Sequence, residues 1–263
     1  DDVTEGQRES YGTSVLPRLR IDIADVVVSI EADFLGTWIA PTEFSKSYSE
    51  RRRKLENLNK LIVFESMYTV TGASADVRSG IRPSQQLDIV LALVREIVVG
   101  GKGSRYASDK TVLEMLGRFN SRIDAVMAEH PNLPQVAREL WNARGKSLVV
   151  AGGLITRGST SRQLQLAVNL LNSILENDGV TVDHSGAVNL TQQGSYRQLA
   201  DLLGKLQGGQ IKTLIVHGVN PVYTLPSSSG FKEALQKVEM VIYTGLHLDE
   251  TGMRITSCRT IIL

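Results

Sequence analysis

The sequence has 263 residues, 42% hydrophobic and 22% charged, with 23 glycines, a globular composition with length for roughly two domains, which excludes disordered, collagen-like and coiled-coil architectures. Twenty-nine basic against 28 acidic side chains leave a formal charge of +1, too weak a field to gather nucleic acid or an anionic membrane. The single cysteine, Cys258, rules out an internal disulfide, zinc–thiolate or iron–sulfur site built from this chain alone, and the longest apolar stretch, Ile89 to Val99, is broken by Arg95 and Glu96 well short of the roughly 20 residues of a membrane span.

The first residues, DDVTEGQRES, carry no charged-then-apolar leader pattern. Val26 to Ile30 and Leu61 to Phe64 are β-branched, nearly all apolar runs, the pattern of strands buried on both faces of a parallel sheet. Ser84 is expected to cap a helix presenting Leu87, Val90, Leu91, Val94 and Ile97, and Ser108 one presenting Val112, Met115, Leu116, Phe119 and Ile123. Pro131, Pro134 and Gly145-Lys146 place a domain junction near 130–146. Beyond it come a strand at Ser147 to Val150, a helix from Arg162 to Glu176, a helix from Ser195 to Gln207, a strand at Leu214 to His217, a short helix from Gly230 to Val238 and a strand at Met240 to Tyr243. The closing run Thr260-Ile261-Ile262-Leu263 stops without a turn residue, so the chain reads as a piece of a larger polypeptide. Strands alternating with amphipathic helices predict an α/β fold with mainly parallel sheets, as two Rossmann-like domains at 1–130 and 131–263.

In such sheets ligands bind at strand carboxyl ends. Two strand ends repeat: Val26 to Ile30 leads to Glu31-Ala32-Asp33-Phe34, as Leu214 to His217 leads to Gly218-Val219-Asn220-Pro221. Ile62-Val63-Phe64 leads to Thr71-Gly72, as Val241-Ile242-Tyr243 leads to Thr251-Gly252. Gly218 removes a Cβ beside a ligand and the Asn220 amide donates and accepts, although Asn-Pro also starts ordinary turns. Gly152-Gly153, followed by Thr156-Arg157-Gly158-Ser159-Thr160, could offer amides and hydroxyls to phosphate at a helix start, but it fits no Walker or GxGxxG pattern and reads rather as a loop with a helix cap. Arg51-Arg52-Arg53-Lys54, flanked by Glu50 and Glu56, reads as a solvated helix face. His130, His184, His217 and His247 lack paired-ligand spacing, though His217 and His247 stand at neighbouring strand ends. No nucleophile elbow is present, so neither a catalytic nor a metal-ligating residue is assigned.

The ordered set from Asp25-Val26-Val27-Val28-Ser29-Ile30 to Gly36-Thr37-Trp38, then Asn59 to Ser66, Thr71 to Asp76, Ile81-Arg82-Pro83, Gly208 to Leu214, Gly218 to Tyr223 and Leu246 to Thr251 resembles the molybdopterin oxidoreductase superfamily. The likeness spans roughly residues 10–263 and is nearest to the molybdopterin-oxidoreductase-like iron–sulfur subunit of alternative complex III. The resemblance implies two Rossmann-like domains, each gripping one guanine dinucleotide of a bis-pterin cofactor in true molybdoenzymes. Where such relatives carry Gly-Xaa-Asn-Pro at the first strand end, this chain has Glu31-Ala32-Asp33-Phe34, and carboxylates beside a pyrophosphate disfavour binding. Glu65 retains an acid without the arginine of an Asp-Pro-Arg turn, whereas Gly218, Asn220 and Pro221 are retained.

The resemblance therefore implies a cofactor-free, non-catalytic scaffold domain, with iron–sulfur clusters elsewhere in the parent chain and Glu65, Gly218, Asn220 and Pro221 as vestigial cofactor contacts. It further implies other subunits of a membrane quinol-oxidising respiratory complex as partners and a periplasmic location. The alternatives are an active bis-molybdopterin guanine dinucleotide oxidoreductase fragment and a free-standing nucleotide-binding α/β module.

Overall fold

The computed structural model describes residues 2–100, 103–153, 156, 158–187, 194–255 and 259–262. Their contacts divide into two units, Asp1–Leu190 and Thr191–Leu263. Cys258 and Arg157 lie outside the described residues.

Unit 1 runs α1 (Asp2–Tyr11), β1 (Pro17–Leu19), β2 (Val26–Ile30), α2 (Pro41–Arg51), β3 (Lys60–Glu65), α3 (Val70–Ala73), β4 (Val77–Gly80), α4 (Gln86–Arg95), α5 (Lys110–Arg118), α6 (Asn120–Glu129), α7 (Leu133–Asn142), β5 (Ser147–Ala151), α8 (Ser161–Ile174) and β6 (Val182–Ala187). Its main sheet is parallel in the order β4-β3-β2-β5, and β1 pairs antiparallel with β6. Alternate side chains of β2 feed opposite faces: Val28 and Ile30 join Ile62, Ile89, Leu93, Ile123 and Leu171 on one side, while Val27 joins Phe34, Phe44, Tyr48, Leu61 and Leu148 on the other. Each fully buried aliphatic side chain contributes about 1.5–3 kcal/mol, so this doubly covered sheet is a rigid base for the loops at its carboxyl edge. β2 neighbours β3 on one side and β5 on the other, so the winding reverses between β2 and β5, where open α/β sheets form a crevice.

Unit 2 runs α9 (Tyr196–Gln207), β7 (Thr213–His217), α10 (Pro221–Thr224), α11 (Phe231–Leu235), β8 (Met240–Thr244), α12 (Glu250–Ile255) and β9 (Arg259–Ile262), with a parallel sheet β7-β8-β9. Its core gathers Leu206, Val216, Phe231, Leu235, Val241 and Tyr243. Ile215 is 66% exposed, so β7, expected to be buried on both faces, is buried on one among the described residues.

The α/β class and parallel sheets agree with the sequence reading, and three details differ. The division falls at 190/191 and not near 130–146, because β5 pairs with β2 along its whole length and α8 packs into the core of unit 1. The proline-bearing segment placed at the junction is a helix, α7, with Pro134 in its first turn, where a missing N–H breaks no intrahelical bond. The expected caps also shift: Ser84 lies inside a 3₁₀ turn, Pro83–Gln85, and Asp109, not Ser108, accepts from Thr111 N and Val112 N.

Candidate functional site

In unit 1 the chain leaves β2 through Glu31, a non-glycine residue at φ 57°. Left-handed backbone costs such a residue about 1–2 kcal/mol. Two bonds hold it there: Glu31 N donates to Phe64 O at 2.9 Å and Ser66 N donates to Glu31 Oε1 at 2.8 Å. Two residues on, Asp33 Oδ1 accepts from Thr71 N at 3.0 Å and Thr71 Oγ1 at 2.8 Å, while Asp33 Oδ2 accepts from Thr37 Oγ1 at 3.2 Å. Thr71 Oγ1 in turn accepts from Leu35 N at 3.0 Å. Glu65, at the end of β3 and buried, accepts from Thr69 Oγ1 at 2.6 Å and from Arg78 Nε at 2.5 Å. The three carboxylates are thus the acceptors that organise this edge.

The crevice between β2 and β5 is also occupied by protein. Gly152 and Gly153 follow β5 at φ 145° and 128°. A Cβ on Gly152 would lie 2.4 Å from Trp38 Nε1, and one on Gly153 would lie 2.7 Å from the Glu31 carbonyl oxygen. These glycines admit the indole and the Glu31 turn. Trp38 is buried and stacked on Phe44 at 5.8 Å between ring centroids.

Unit 2 builds the same turn from different residues. Gly218 leaves β7 at φ 62°, and Gly218 N donates to Thr244 O at 2.9 Å. Asn220 Oδ1 accepts from Thr251 Oγ1 at 2.7 Å, Thr251 Oγ1 accepts from Val222 N at 3.1 Å, and Asn220 Nδ2 donates to Glu250 Oε2 at 2.6 Å. Glu31, Asp33, Leu35 and Thr71 therefore correspond to Gly218, Asn220, Val222 and Thr251 in three bonds: the strand-end N–H to the neighbouring strand, the threonine hydroxyl to the Asp33 or Asn220 oxygen, and the Leu35 or Val222 N–H to that hydroxyl. The repeat visible in the sequence is a repeat of hydrogen bonds, with a buried threonine hydroxyl at its hub. In the sequence Thr71-Gly72 and Thr251-Gly252 mark the repeat, but the role of their hydroxyls depends on distances to residues far away in the chain.

The rim of unit 2 carries further polar contacts. His217 Nδ1 meets Thr244 Oγ1 at 2.5 Å, and Tyr243 OH donates to Asp249 Oδ2 at 2.6 Å and to the His247 carbonyl at 3.3 Å. This Tyr243–Asp249 bond, with burial, pushes the Tyr243 hydroxyl up to about 12. Burial acts to raise the Asp249 carboxyl, but Tyr243 OH and the N–H groups of Gly252 and Thr251 outweigh it and hold the group below the usual carboxylate range. The basic cluster in unit 1 is not a bare solvated face: Arg51 pairs with Asp25, and Arg52 pairs with Asp76 at 2.9 Å while lying over Tyr48. Arg52 holds the Asp76 carboxyl low, against a desolvation cost.

Of the expected cofactor contacts, Glu65 is in unit 1 and Gly218, Asn220 and Pro221 are in unit 2. A pyrophosphate requires unengaged N–H donors and no buried carboxylate beside it. In unit 1 the N–H groups of Ser66 and Thr71 are bonded to Glu31 and Asp33, and the switch-point glycines lie against Trp38 and the Glu31 turn. The residues of unit 1 do not fit a dinucleotide. In unit 2 the space at Gly218 is open, with nothing within 4 Å of a Cβ built there, but the Asn220 amide is bonded on both its atoms. Among the described residues no group of three or more His, Cys, Asp and Glu side chains is placed to hold a metal ion.

No family model matches the chain. The chain is 23% identical over 248 residues to the molybdopterin-binding-like subunit of menaquinone reductase from Nitratidesulfovibrio vulgaris, an alignment that takes in 89% of this chain and 36% of that protein. In fold it is similar to acetylene hydratase from Pelobacter acetylenicus, with a TM-score of 0.66 at 10% identity over 96% of this chain and 42% of that one. The chain thus spans less than half the length of either relative. In sequence and fold it is molybdopterin-oxidoreductase-like.

Proposed function

We propose that this chain is the molybdopterin-oxidoreductase-like part of a subunit in a quinone-linked membrane complex, and that it serves there as a structural scaffold without a guanine dinucleotide in unit 1. The observation that carries this reading is the buried set Glu31, Asp33 and Glu65, each satisfied by the protein's own donors at the strand ends where a phosphate would otherwise be received. The similarity to a menaquinone reductase subunit supports other subunits as partners, and no helix among the described residues is long and apolar enough to cross a membrane. Redox chemistry is assigned to iron–sulfur clusters outside this chain, and a periplasmic location of the alternative complex III type is part of the same proposal.

A second reading keeps one dinucleotide on unit 2, and the open space at Gly218 favours it. One experiment separates the two: elemental analysis for molybdenum, tungsten and iron, with a pterin assay, on the intact parent protein purified from its native membrane. Iron without molybdenum, tungsten or pterin supports the scaffold. Stoichiometric molybdenum or tungsten with pterin overturns it.

A further inference from the structure

Beneath α1, unit 1 holds a cavity away from the carboxylate turn. It has about 40 Å³ of room for the centres of water-sized molecules, and its apolar lining includes Leu19, Trp38, Phe44, Val168 and Val182. Gln7, on α1, also lines it. Gln7 is 6% exposed; its Nε2 donates to Asn169 Oδ1 at 3.1 Å, and its Oε1 is buried without a hydrogen-bond partner. The neighbouring amides are engaged: Asn169 Nδ2 donates to Gly6 O and Ser10 Oγ, Asn172 bonds both backbone groups of Val149, and Gln165 Nε2 donates to Ala151 O. This network fixes which end of the Gln7 amide is left over, an acceptor. A buried unsatisfied acceptor is costly and rare in folded proteins.

We infer that this cavity is a binding site for a small neutral molecule carrying one hydroxyl, which donates to Gln7 Oε1 while its apolar body rests on Val168, Leu19 and Phe44. The size sets the class. One water needs about 10–15 Å³ of such room, so the space takes a body of roughly three to four heavy atoms and is too small for a quinone ring system or a nucleotide. Charge sets it further. No cationic side chain lines the cavity, and an anion desolvated among these side chains would be unpaired. The site is independent of the scaffold reading, since it uses none of the strand-end carboxylates.

The test is ¹⁹F NMR of 2-fluoroethanol added to the full-length protein, with fluoroacetate as the charged counterpart. The expected result is a saturable shift for the alcohol and none for the anion, loss of the shift in Val168→Phe, and affinity about tenfold weaker in Gln7→Leu, the loss of one hydrogen bond. Val3→Phe, which fills the cavity from α1, serves if Val168→Phe melts non-cooperatively. A non-saturable response, with the cavity holding water only, overturns the inference. So does equal binding in the filled variants, equal affinity in Gln7→Leu, or binding of fluoroacetate.

Discussion

The turns after β2 and β7 share one backbone path and one hydrogen-bond plan, yet the first is closed and the second open. Both begin with a positive φ, 57° at Glu31 and 62° at Gly218, and both end on a buried threonine hydroxyl, Thr71 or Thr251. In unit 1 a carboxylate, Asp33, accepts where in unit 2 an amide, Asn220, does. A carboxylate only accepts, so it draws in backbone and hydroxyl donors, whereas an amide keeps donors of its own. One strand end thus holds its carboxylates against the protein's own donors, and the other presents a rim that faces solvent. The lesson is that two residue differences on one shared turn, Glu31 against Gly218 and Asp33 against Asn220, redirect which polar groups the turn engages.

The comparison is broken most directly at its two acceptors. Asp33→Ala leaves Thr71 N and the Thr71 hydroxyl proton without acceptors in a buried setting and is expected to lower unfolding free energy by about 3–4 kcal/mol, whereas Asn220→Ala, in the more exposed turn, lowers it by about 1 kcal/mol. Equal losses in urea melts of the two variants would mean that the turns are energetically alike. Gly152→Ala follows at about 3 kcal/mol, since its Cβ would lie 2.4 Å from a buried indole nitrogen. Gly218→Ala costs about 1–2 kcal/mol from its φ alone, with nothing within 4 Å to clash.

The next test exchanges the turn residues. Glu31→Gly relieves left-handed strain of about 1–2 kcal/mol and removes the acceptor for Ser66 N, a bond of similar size, so stability changes by less than about 1 kcal/mol. The readout that moves is local: amide exchange at Ser66 accelerates while that at Thr71 does not.

The smallest expected effect is the pH dependence of the unit 2 rim. Asp249 titrates below its unfolded value of about 3.9, so its contribution is present above about pH 4 and is lost as pH falls through the folded value. Tyr243 is raised from 10.0 to about 12, so its contribution is present below pH 10 and is lost as pH rises from 10 toward about 12. Tyr243→Phe should flatten both edges of a melting-temperature profile. An unchanged profile would show that the Tyr243–Asp249 bond does not couple to folding.

Much of this was legible in the residues, for identifiable reasons. The runs at Val26 to Ile30, Leu61 to Phe64 and Ser147 to Val150 are strands because β-branched apolar side chains suit a doubly covered parallel sheet. Ser195 with Gln198 marks the start of α9 through a reciprocal bond between neighbours in sequence. The pairing of Glu31-Ala32-Asp33 with Gly218-Val219-Asn220 was visible because both follow a strand directly. Misplacing the domain boundary had an equally physical cause. Pro134 reads as a breaker in sequence, yet at the first turn of α7 it costs nothing, and whether β5 pairs with β2 is a long-range choice without a local signal.

By itself, then, the sequence determined the α/β class, the parallel strands and the repeated strand-turn plan, all set by side-chain shape, polarity and spacing along neighbouring residues. Only the tertiary structure decided that Glu31, Asp33 and Glu65 point into the protein and are satisfied there, that Trp38 fills the space over Gly152, and that Gln7 is left with an unpaired acceptor beside a cavity. Those facts depend on which distant donors reach which acceptors. A carboxylate reads the same in sequence whether it faces solvent or Thr71, and the burial and distances between residues 38 apart in the chain distinguish the two.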